Sequence, residues 1–310
     1  DWFVLRSKDG DAWSGPEPTD MPLPGPYEVC HAFVETGDGR LLLPTGLLRT
    51  WEGEAPDGLR TLALVSQDGG KTWGEEIIIQ KPGFQCGGVV VDENSGDILA
   101  FVEDRHPPAP VSVYRSQDDG KSWKKIDAKI NPDSKGNMPS MHMNDHGITL
   151  RHGKHKGRLI RPSRFYAGRN HRSKWPEHYT NAIYSDDGGK TWNTSDPFPA
   201  KGTGEATLAE LADGTIYYNT RRHWAPEGEN PRRRWTATSS DGGKTWIPSG
   251  FTLSADDADL WVVINNDWMR VFTIESLKQF ITENRSRLRI ATTRAGVNHN
   301  GPEQFSKAYL

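Results

Sequence analysis

The residues best suited to chemistry in this sequence are carboxylates and arginines near the ends of apolar segments. Four acidic residues are candidates for proton transfer or substrate contact: Glu205, Asp57, Glu103 and Asp145. Three arginines could grip a planar anion through paired hydrogen bonds: Arg164, Arg221 and Arg222. An acid beside guanidinium groups stays ionised, whereas one held away from them can keep its proton. The set predicts a site for an acidic substrate, with a structural network of acid–arginine pairs as the alternative.

The histidines give weaker evidence for a functional site than the carboxylates and arginines do. His31 and His146 lie near the same segment ends and are candidates for substrate contact. The pairs His142–His146 and His152–His155 have spacings that metal ligands can have. However, His152 and His155 fall in a glycine-containing turn, where solvated side chains are expected. The sequence therefore predicts no metal site, and no other cofactor is expected.

An octapeptide that recurs four times indicates how these residues are positioned. The copies are SQDGGKTW from Ser66, SQDDGKSW from Ser116, SDDGGKTW from Ser185 and SSDGGKTW from Ser239. A degenerate fifth copy, SKDGDAW, lies between residues 7 and 13. Each copy predicts a turn, because aspartate can accept bonds from backbone N–H groups, glycine can adopt positive φ and tryptophan provides a packing plug. The octapeptides are interpreted as structural, since the further acidic ligands of a calcium loop are missing.

Two apolar stretches around a glycine turn precede each octapeptide and predict a β-hairpin. The turns contain Gly39, Gly96, Gly157 and Gly214. A third strand enters each octapeptide and a short fourth segment follows it. Four antiparallel strands repeated in this way are typical of a β-propeller blade. The first strand begins, and the second ends, at the sheet end opposite the turn, so the candidate site residues converge at that end, which we call the mouth.

The repeats are clear over residues 27–252, whereas the tail over residues 253–310 is atypical. In the tail, LWVVI (260–264) and MRVFTI (269–274) predict one closing hairpin, and apolar residues at helical spacing predict a helix over 274–289. Counting repeats gives about five blades. The predicted fold is all-β, with a single propeller domain over 1–310 and a possible C-terminal helix.

Composition excludes several classes of protein. The 38 Lys and Arg against 41 Asp and Glu give a formal net charge of −3, which argues against nucleic-acid binding, because that needs a basic surface. No apolar run approaches the roughly 20 residues of a membrane-spanning helix. Cys30 and Cys86 are too few for a disulfide scaffold and are expected to be buried thiols.

The octapeptides resemble the Asp-boxes, or BNR repeats, of the sialidase (neuraminidase) superfamily. The segment DHGITLRHGKHKGRLIRP is similar to that family's GHGI…GRL-P blade, and GEATLAELADGTIYYNTR is similar to its NEAT…ELxDGxxxxNSR segment. Together these features cover about residues 27–252, and the GEAT…NTR segment is the more specific, since non-enzymatic propellers also carry Asp-boxes. The resemblance implies a six-bladed β-propeller and an exo-sialidase-like glycoside hydrolase that acts on a terminal acidic sugar with retention of configuration.

The resemblance also implies roles for particular residues. Family members use a tyrosine nucleophile activated by a glutamate, an aspartate as acid/base and three arginines that bind the substrate carboxylate. Glu205 and Arg221 match the glutamate and one arginine of the NEAT…NSR segment. Asp57 lies in a loop whose place in the first repeat resembles that of the family's acid/base aspartate. A neutral tyrosine is a poor nucleophile at its ordinary pKa near 10, which an adjacent base corrects.

The first and last repeats depart from the family pattern. Residues 27–30 read YEVC where the family has Arg-Ile-Pro, so the first arginine is absent. In the tail, Tyr309 is the available tyrosine for the role of nucleophile, and Arg270 is a weak candidate for the third arginine. The sequence therefore predicts the Glu205–Arg221 half of the site, without an identified nucleophile.

These departures leave two alternatives to the hydrolase. One is a carbohydrate-binding propeller that has lost catalysis. The other is a polysaccharide lyase acting on uronic acids, in which His31 or His146 works with Tyr166. The expected partner in each case is a glycan or a small acidic sugar. A secreted or periplasmic location is expected, because the substrates of the family are extracellular glycans.

Overall fold

Strands form most of the regular structure, as the turn and hairpin patterns predict. The computed structural model describes residues 2–4, 17–20, 27–28, 34–47, 60–83, 88–168, 171–222, 224, 233–252, 260–264, 269–273, 290–295 and 304–309. Within these residues, helical structure is confined to two short 3₁₀ turns, Gly153–His155 and Arg172–Glu177. The helix predicted over 274–289 lies outside the described residues. No helix in the described part is long and apolar enough to cross a membrane.

The chain divides into two compact units, Asp1–Thr252 and Leu253–Leu310. The first unit begins with paired β1 (Trp2–Val4) and β2 (Glu17–Thr19). Sheet 1 then contains β3 (Tyr27–Glu28), β4 (Val34–Glu35), β5 (Leu41–Leu47), β6 (Thr61–Ser66) and β7 (Ile77–Gln80). Sheet 2 contains β8 (Val89–Val91), β9 (Ile98–Glu103), β10 (Val111–Ser116) and β11 (Lys124–Ile126).

Two further sheets complete the first unit. Sheet 3 contains β12 (Lys129–Ile130), β13 (Ile148–Thr149), β14 (Leu159–Phe165), β15 (Tyr179–Ser185) and β16 (Thr191–Thr194), with β12 parallel to β16. Sheet 4 contains β17 (Thr203–Glu210), β18 (Ile216–Arg222), β19 (Arg233–Ser239) and β20 (Ile247–Thr252). Apart from β12, which joins the edge of sheet 3 beside β16, each of the four predicted repeats is confirmed as one antiparallel sheet whose strands follow in chain order.

The sheets pack face to face in the order of the chain. Leu42 and Ala63 of sheet 1 share an apolar core with Ile98 of sheet 2. Sheets 2 and 3 share a second core, and sheets 3 and 4 share a third, where Ile160 meets Tyr218. Middle strands are consequently buried on both faces, and every residue of β9 is buried. Successive sheets stacked in this way form the blades of a propeller.

The octapeptides form self-contained turns at the ends of the third strands. In each copy the serine Oγ donates to the aspartate Oδ1, at 2.8, 2.8, 2.7 and 2.7 Å along the chain. The same serine accepts a bond from the amide of the second glycine position, and the aspartate accepts from the amide four residues ahead. The structural interpretation of the octapeptides agrees with this network.

The second glycine of the octapeptide also brings neighbouring sheets together. A Cβ at Gly189 would lie 2.5 Å from Leu99 Cδ1 of the preceding sheet. Gly120 has the same relation to Leu42, and Gly243 to Ile160. All three glycines have φ between 82° and 85°, which other residues rarely adopt. These three octapeptides therefore each close their own turn and admit an apolar side chain from the sheet before them.

The second unit consists of two hairpins. β21 (Leu260–Ile264) pairs antiparallel with β22 (Met269–Thr273), which confirms the hairpin predicted in the tail. β23 (Ile290–Ala295) pairs with β24 (Gln304–Tyr309), a hairpin that sequence reasoning missed. The boundary at Thr252 coincides with the end of the clear repeats. A single propeller domain over 1–310, and the number of blades, stay predictions.

Candidate active site at the mouth of the sheets

Glu205 and Arg221 form an ion pair at the mouth of sheet 4. The register of β17 and β18 shifts between Thr203 and Ala206, so a bulge carries Glu205. Bulges commonly re-aim side chains beside functional sites. Arg221 Nη1 donates to both Glu205 oxygens, at 2.8 and 3.1 Å. The Glu205 side chain is 19% exposed and that of Arg221 is 42% exposed, so the pair opens to solvent.

Arg234 lies beside this pair, and sequence reasoning did not single it out. It is the register partner of Arg221 on the neighbouring strand β19, so the two arginines share one face of the sheet. Its Nε donates to Asn219 Oδ1. Burial lowers the pKa of Arg234, Glu205 acts to raise it, and Arg221 adds to the lowering. Third strands also begin at the mouth, so the run of arginines at 232–234 was an available signal.

Arg164 reaches the same region from sheet 3. Its side chain is buried, and its Nη2 lies 3.0 Å from His178 Nδ1. Burial lowers the pKa of the Arg164 guanidinium, and acidic neighbours that include Glu205 and Glu103 act to raise it. Gly204 makes room for the guanidinium, since a Cβ there would lie 3.2 Å from Arg164 Nη1. Arg164 is thus an electrostatic neighbour of two glutamates of different sheets.

Glu103 lies at the buried end of this arrangement, at the end of β9. The residue is fully buried. Burial raises the pKa of Glu103 to about 8, although Ser140 and the cations Arg164 and Arg161 act to lower it. At neutral pH the carboxyl group therefore keeps its proton. Because Glu103 is fully buried, neither solvent nor a sugar reaches it directly, and the predicted role of Glu103 in substrate contact is not supported.

An aromatic cluster surrounds Arg164 on its other side. The Tyr166 ring lies under the Arg164 guanidinium, with 4.7 Å from Cζ to the ring centroid. Three histidine rings pack around Tyr166: His106, His142 and His178. Burial lowers the pKa of His178 to about 4, and the nearby Arg164 adds to this. Burial also raises the pKa of Tyr166, so the phenol keeps its proton at neutral pH.

Asp145 and His146 join sheets 2, 3 and 4 near the mouth. The Asp145 amide donates to Ala206 O of β17 at 3.0 Å, and the Asp145 carboxylate is an electrostatic neighbour of Arg234. His146 Nδ1 accepts a bond from the Val89 amide at 3.1 Å. This bond orients the imidazole ring, with Nδ1 as the acceptor.

The remaining candidates differ in where they lie. Side chains of successive strand residues alternate between faces. Arg222 therefore occupies the face of β18 opposite Arg221, where its Nε donates to Lys201 O and its guanidinium stacks 4.6 Å from the Trp235 centroid. The structure does not bring Arg222 to Glu205. Asp57 and His31 lie outside the described residues.

The mouth can therefore bind an anion and position a base. Three arginines of the described residues have Glu205 as a neighbour: Arg164, Arg221 and Arg234. With Glu103 protonated, these three cations outnumber the two carboxylates, Glu205 and Asp145, and the buried Arg161 beside Glu103 adds a further positive charge. An excess of buried or half-buried positive charge attracts a negatively charged ligand. In the described part of the chain, no cluster of three or more acidic, histidine or cysteine side chains could hold a metal ion.

Comparisons with known proteins identify the class to which this fold and site belong. The model of the BNR repeat-like domain family matches residues 85–307, including most of the tail. A microbial sialidase, Hz136, from the Hadza microbiome has a similar fold, with a TM-score of 0.55 and 22% identity over 72% of this chain and 46% of that one. A protein of unknown function from Dyadobacter fermentans has a TM-score of 0.50 and 20% identity, over 79% of this chain and 78% of that one.

The chain belongs to the BNR repeat-like domain family, within the sialidase superfamily, and has the sialidase-like β-propeller fold. A curated sialidase from Micromonospora viridifaciens is 30% identical to it over 247 residues, which are 70% of this chain. The matched part spans only 35% of that relative's length. The predicted family and fold class are thereby confirmed.

Proposed function

We propose that the protein is an exo-sialidase-like glycoside hydrolase that removes a terminal acidic sugar from a glycan with retention of configuration. The observation that carries this proposal is the Glu205–Arg221 ion pair, with Arg164 and Arg234 as further cationic neighbours of the glutamate. A sugar carboxylate can compete for these guanidiniums through paired hydrogen bonds. The similarity to a protein named a sialidase supports the same substrate class.

The roles of the residues follow from the chemistry of the reacting carbon, which is the anomeric carbon of a sugar and bears a carboxylate. In the first step a tyrosine oxygen bonds to the anomeric carbon while the glycosidic bond breaks, and Asp57 gives a proton to the leaving oxygen. Glu205 takes the proton of the tyrosine. Water then attacks the anomeric carbon as its bond to the tyrosine oxygen breaks. Asp57 accepts a proton from the water, and Glu205 returns its proton to the tyrosine oxygen. A tyrosine suits this step, because a neutral nucleophile does not repel the substrate's own carboxylate.

Substitution of the two acids tests the proposal. We expect Glu205→Gln and Asp57→Asn each to lower kcat for a fluorogenic sialoside by about 10²- to 10⁴-fold, with an unchanged thermal midpoint. Glu177→Gln is a matched control, since Glu177 lies in a neighbouring loop, pairs with Lys174 and is half exposed. Its activity should stay within about twofold of the unsubstituted protein. Full activity of the Glu205 variant would remove that residue from the mechanism.

The two alternatives predict different products. A carbohydrate-binding propeller would retain sialoglycans on an array and release no sugar. A lyase would release an unsaturated product that absorbs in the ultraviolet. The structure offers Tyr166 Oη 3.4 Å from His106 Nε2 as an acid–base pair for the lyase, but Tyr166 is only 6% exposed. The hydrolase is therefore favoured, because the Glu205–Arg221 pair is accessible to a substrate.

A further inference from the structure

The mouth contains one arginine that neither the sequence pattern nor the resemblance assigns. Arg234 is the second residue of the third strand of sheet 4, whereas the family's arginines come from other strands, and the first of these is absent at residues 27–30. Arg221 and Arg234 are register partners on β18 and β19. Same-face partners on neighbouring strands have Cβ atoms about 5 Å apart. Two guanidiniums are thus held side by side.

Like charges placed directly opposite each other on a sheet are unfavourable unless an anion lies between them. Glu205 supplies one anion, and Arg221 Nη1 already binds both of its oxygens. Asp145 is a second acidic neighbour of Arg234. Arg164 then remains as a third cation near Glu205. The arrangement therefore favours one more negative group at the mouth.

Asn219 fixes the Arg234 guanidinium in place. The bond to Asn219 Oδ1 uses the Nε atom, so neither Nη atom takes part in that contact. Asn219 and Arg221 are two residues apart on β18 and therefore share one face. A planar guanidinium held at Nε keeps its outer edge in a defined orientation, which reduces the entropy lost when that edge binds an anion.

We propose that Arg234 binds the carboxylate of the acidic sugar together with Arg221, and so takes the part of the arginine missing from the first repeat. This inference rests on the proposed function, since it names the group that grips the same substrate. It makes Arg234 a determinant of specificity for acidic over neutral sugars. Arg234 would act on substrate binding, so its loss should raise KM more than it lowers kcat.

The test compares binding of a carboxylate-bearing sialic acid analogue with binding of its methyl ester. We expect the unsubstituted protein to prefer the acid, and Arg234→Met to lower that preference by about 10- to 100-fold. Arg234→Lys keeps the charge but loses the planar fork, and should fall between the two. Arg151→Met is the matched control, because Arg151 is 69% exposed and pairs with Glu93 at the opposite end of the sheets.

Each outcome separates the inference from the function on which it rests. If the unsubstituted protein prefers the acid and folded Arg234→Met prefers it equally, the inference is overturned and the proposed function stands. If the unsubstituted protein does not distinguish the acid from the ester, both are overturned. Should Arg234→Met fail to fold, Arg234→Lys decides, and an unchanged preference in that variant would overturn the inference.

Discussion

The octapeptide aspartates at the turn end and the buried Glu103 at the mouth are two contrasting settings for a carboxyl group. At the turn end, each octapeptide aspartate receives its hydrogen bonds from within its own eight residues, as Asp241 does from Ser239 and Thr245. At the mouth, the cationic neighbour of Glu103 comes from another sheet: Arg164 of sheet 3 is an electrostatic neighbour of Glu103 of sheet 2 and of Glu205 of sheet 4. Hydrogen bonds from neighbouring residues hold each octapeptide turn rigid. Charged side chains at the mouth also have neighbours from other sheets, and their charge is available for a ligand.

The carboxyl groups of the two ends show the same contrast in their pKa values. Burial raises the pKa of Glu103 at the mouth to about 8. At the turn end, burial acts to raise the pKa of Asp241, but hydrogen bonds from Thr245 and Ser239 outweigh it and lower the pKa to about 2. One acid is kept neutral and the other is kept charged. Burial therefore dominates the pKa of the acid at the mouth, whereas local hydrogen bonds dominate the pKa of the acid at the turn.

The largest effect is expected where an octapeptide meets the neighbouring sheet. Gly189→Ala would place a Cβ 2.5 Å from Leu99 Cδ1, and Leu99 is fully buried. Overpacking of a core costs about 1–3 kcal/mol, and the positive φ adds about 1–2 kcal/mol. We therefore expect a loss of about 2–5 kcal/mol in the free energy of unfolding, measured by urea denaturation.

Gly96→Ala is the matched control for this packing effect. Gly96 has the same φ of 82° as Gly189, but nothing lies within 4 Å of a Cβ built there. Only the backbone term of about 1–2 kcal/mol should remain. Equal losses in the two variants would show that the octapeptide glycines are needed for turn geometry alone, and not for contact between sheets.

Glu103 gives the next largest effect, and it depends on pH. A carboxyl group whose pKa is raised on folding binds a proton more tightly in the folded state. Its stabilising effect is complete below the unfolded pKa of about 4.5, and it is lost as pH rises toward 8. Glu103→Gln, which is neutral at every pH, should match the unsubstituted protein near pH 4.5. At pH 8 it should be more stable by on the order of 2–4 kcal/mol.

Thermal unfolding of both proteins at pH 4.5, 6 and 8 measures this difference. If the variant is instead less stable at pH 8, Glu103 is ionised in the folded state and forms a true salt bridge with Arg164 or Arg161. The excess of positive charge at the mouth would then be smaller, which would weaken the case for an acidic substrate. The experiment therefore tests the contrast between the two ends as well as the single residue.

Sequence reasoning succeeded where the determinants are local. The octapeptides, the glycine turns and the hairpins all depend on residues within a few positions of one another, and each of the four sheets follows from them. Glu205 and Arg221 belong to one hairpin motif, GEATLAELADGTIYYNTR, in which they are sixteen positions apart. These features depend on short-range hydrogen bonds and on turn geometry, which a sequence encodes directly.

Sequence reasoning was weaker where position depends on packing. The sequence makes Arg221 and Arg222 equal candidates for binding the substrate, although the alternation of side chains along a strand places them on opposite faces. The pattern of apolar strands and glycine turns does not show which residue of the arginine run at 232–234 faces the mouth, so Arg234 received no role from the sequence. The neutral state of Glu103 follows from burial between sheets 2 and 3, and no local pattern around residue 103 predicts that burial. Such properties arise from contacts between sheets.

The smallest effect is expected at the turn end, with a pH dependence of opposite sign. A carboxyl group whose pKa is lowered on folding stabilises the protein above its unfolded pKa of about 3.8, and this effect is lost as pH falls toward 2. Asp241→Asn should therefore cost about 1 kcal/mol at neutral pH, as for the loss of a helix cap, and nothing near pH 2. Urea denaturation at pH 7 and at pH 2.5 measures this. A cost that stayed constant over this pH range would mean that the turn needs a hydrogen-bond acceptor at residue 241 but not a charge. The contrast between a neutral acid at the mouth and a charged acid at the turn would then be wrong for the turn.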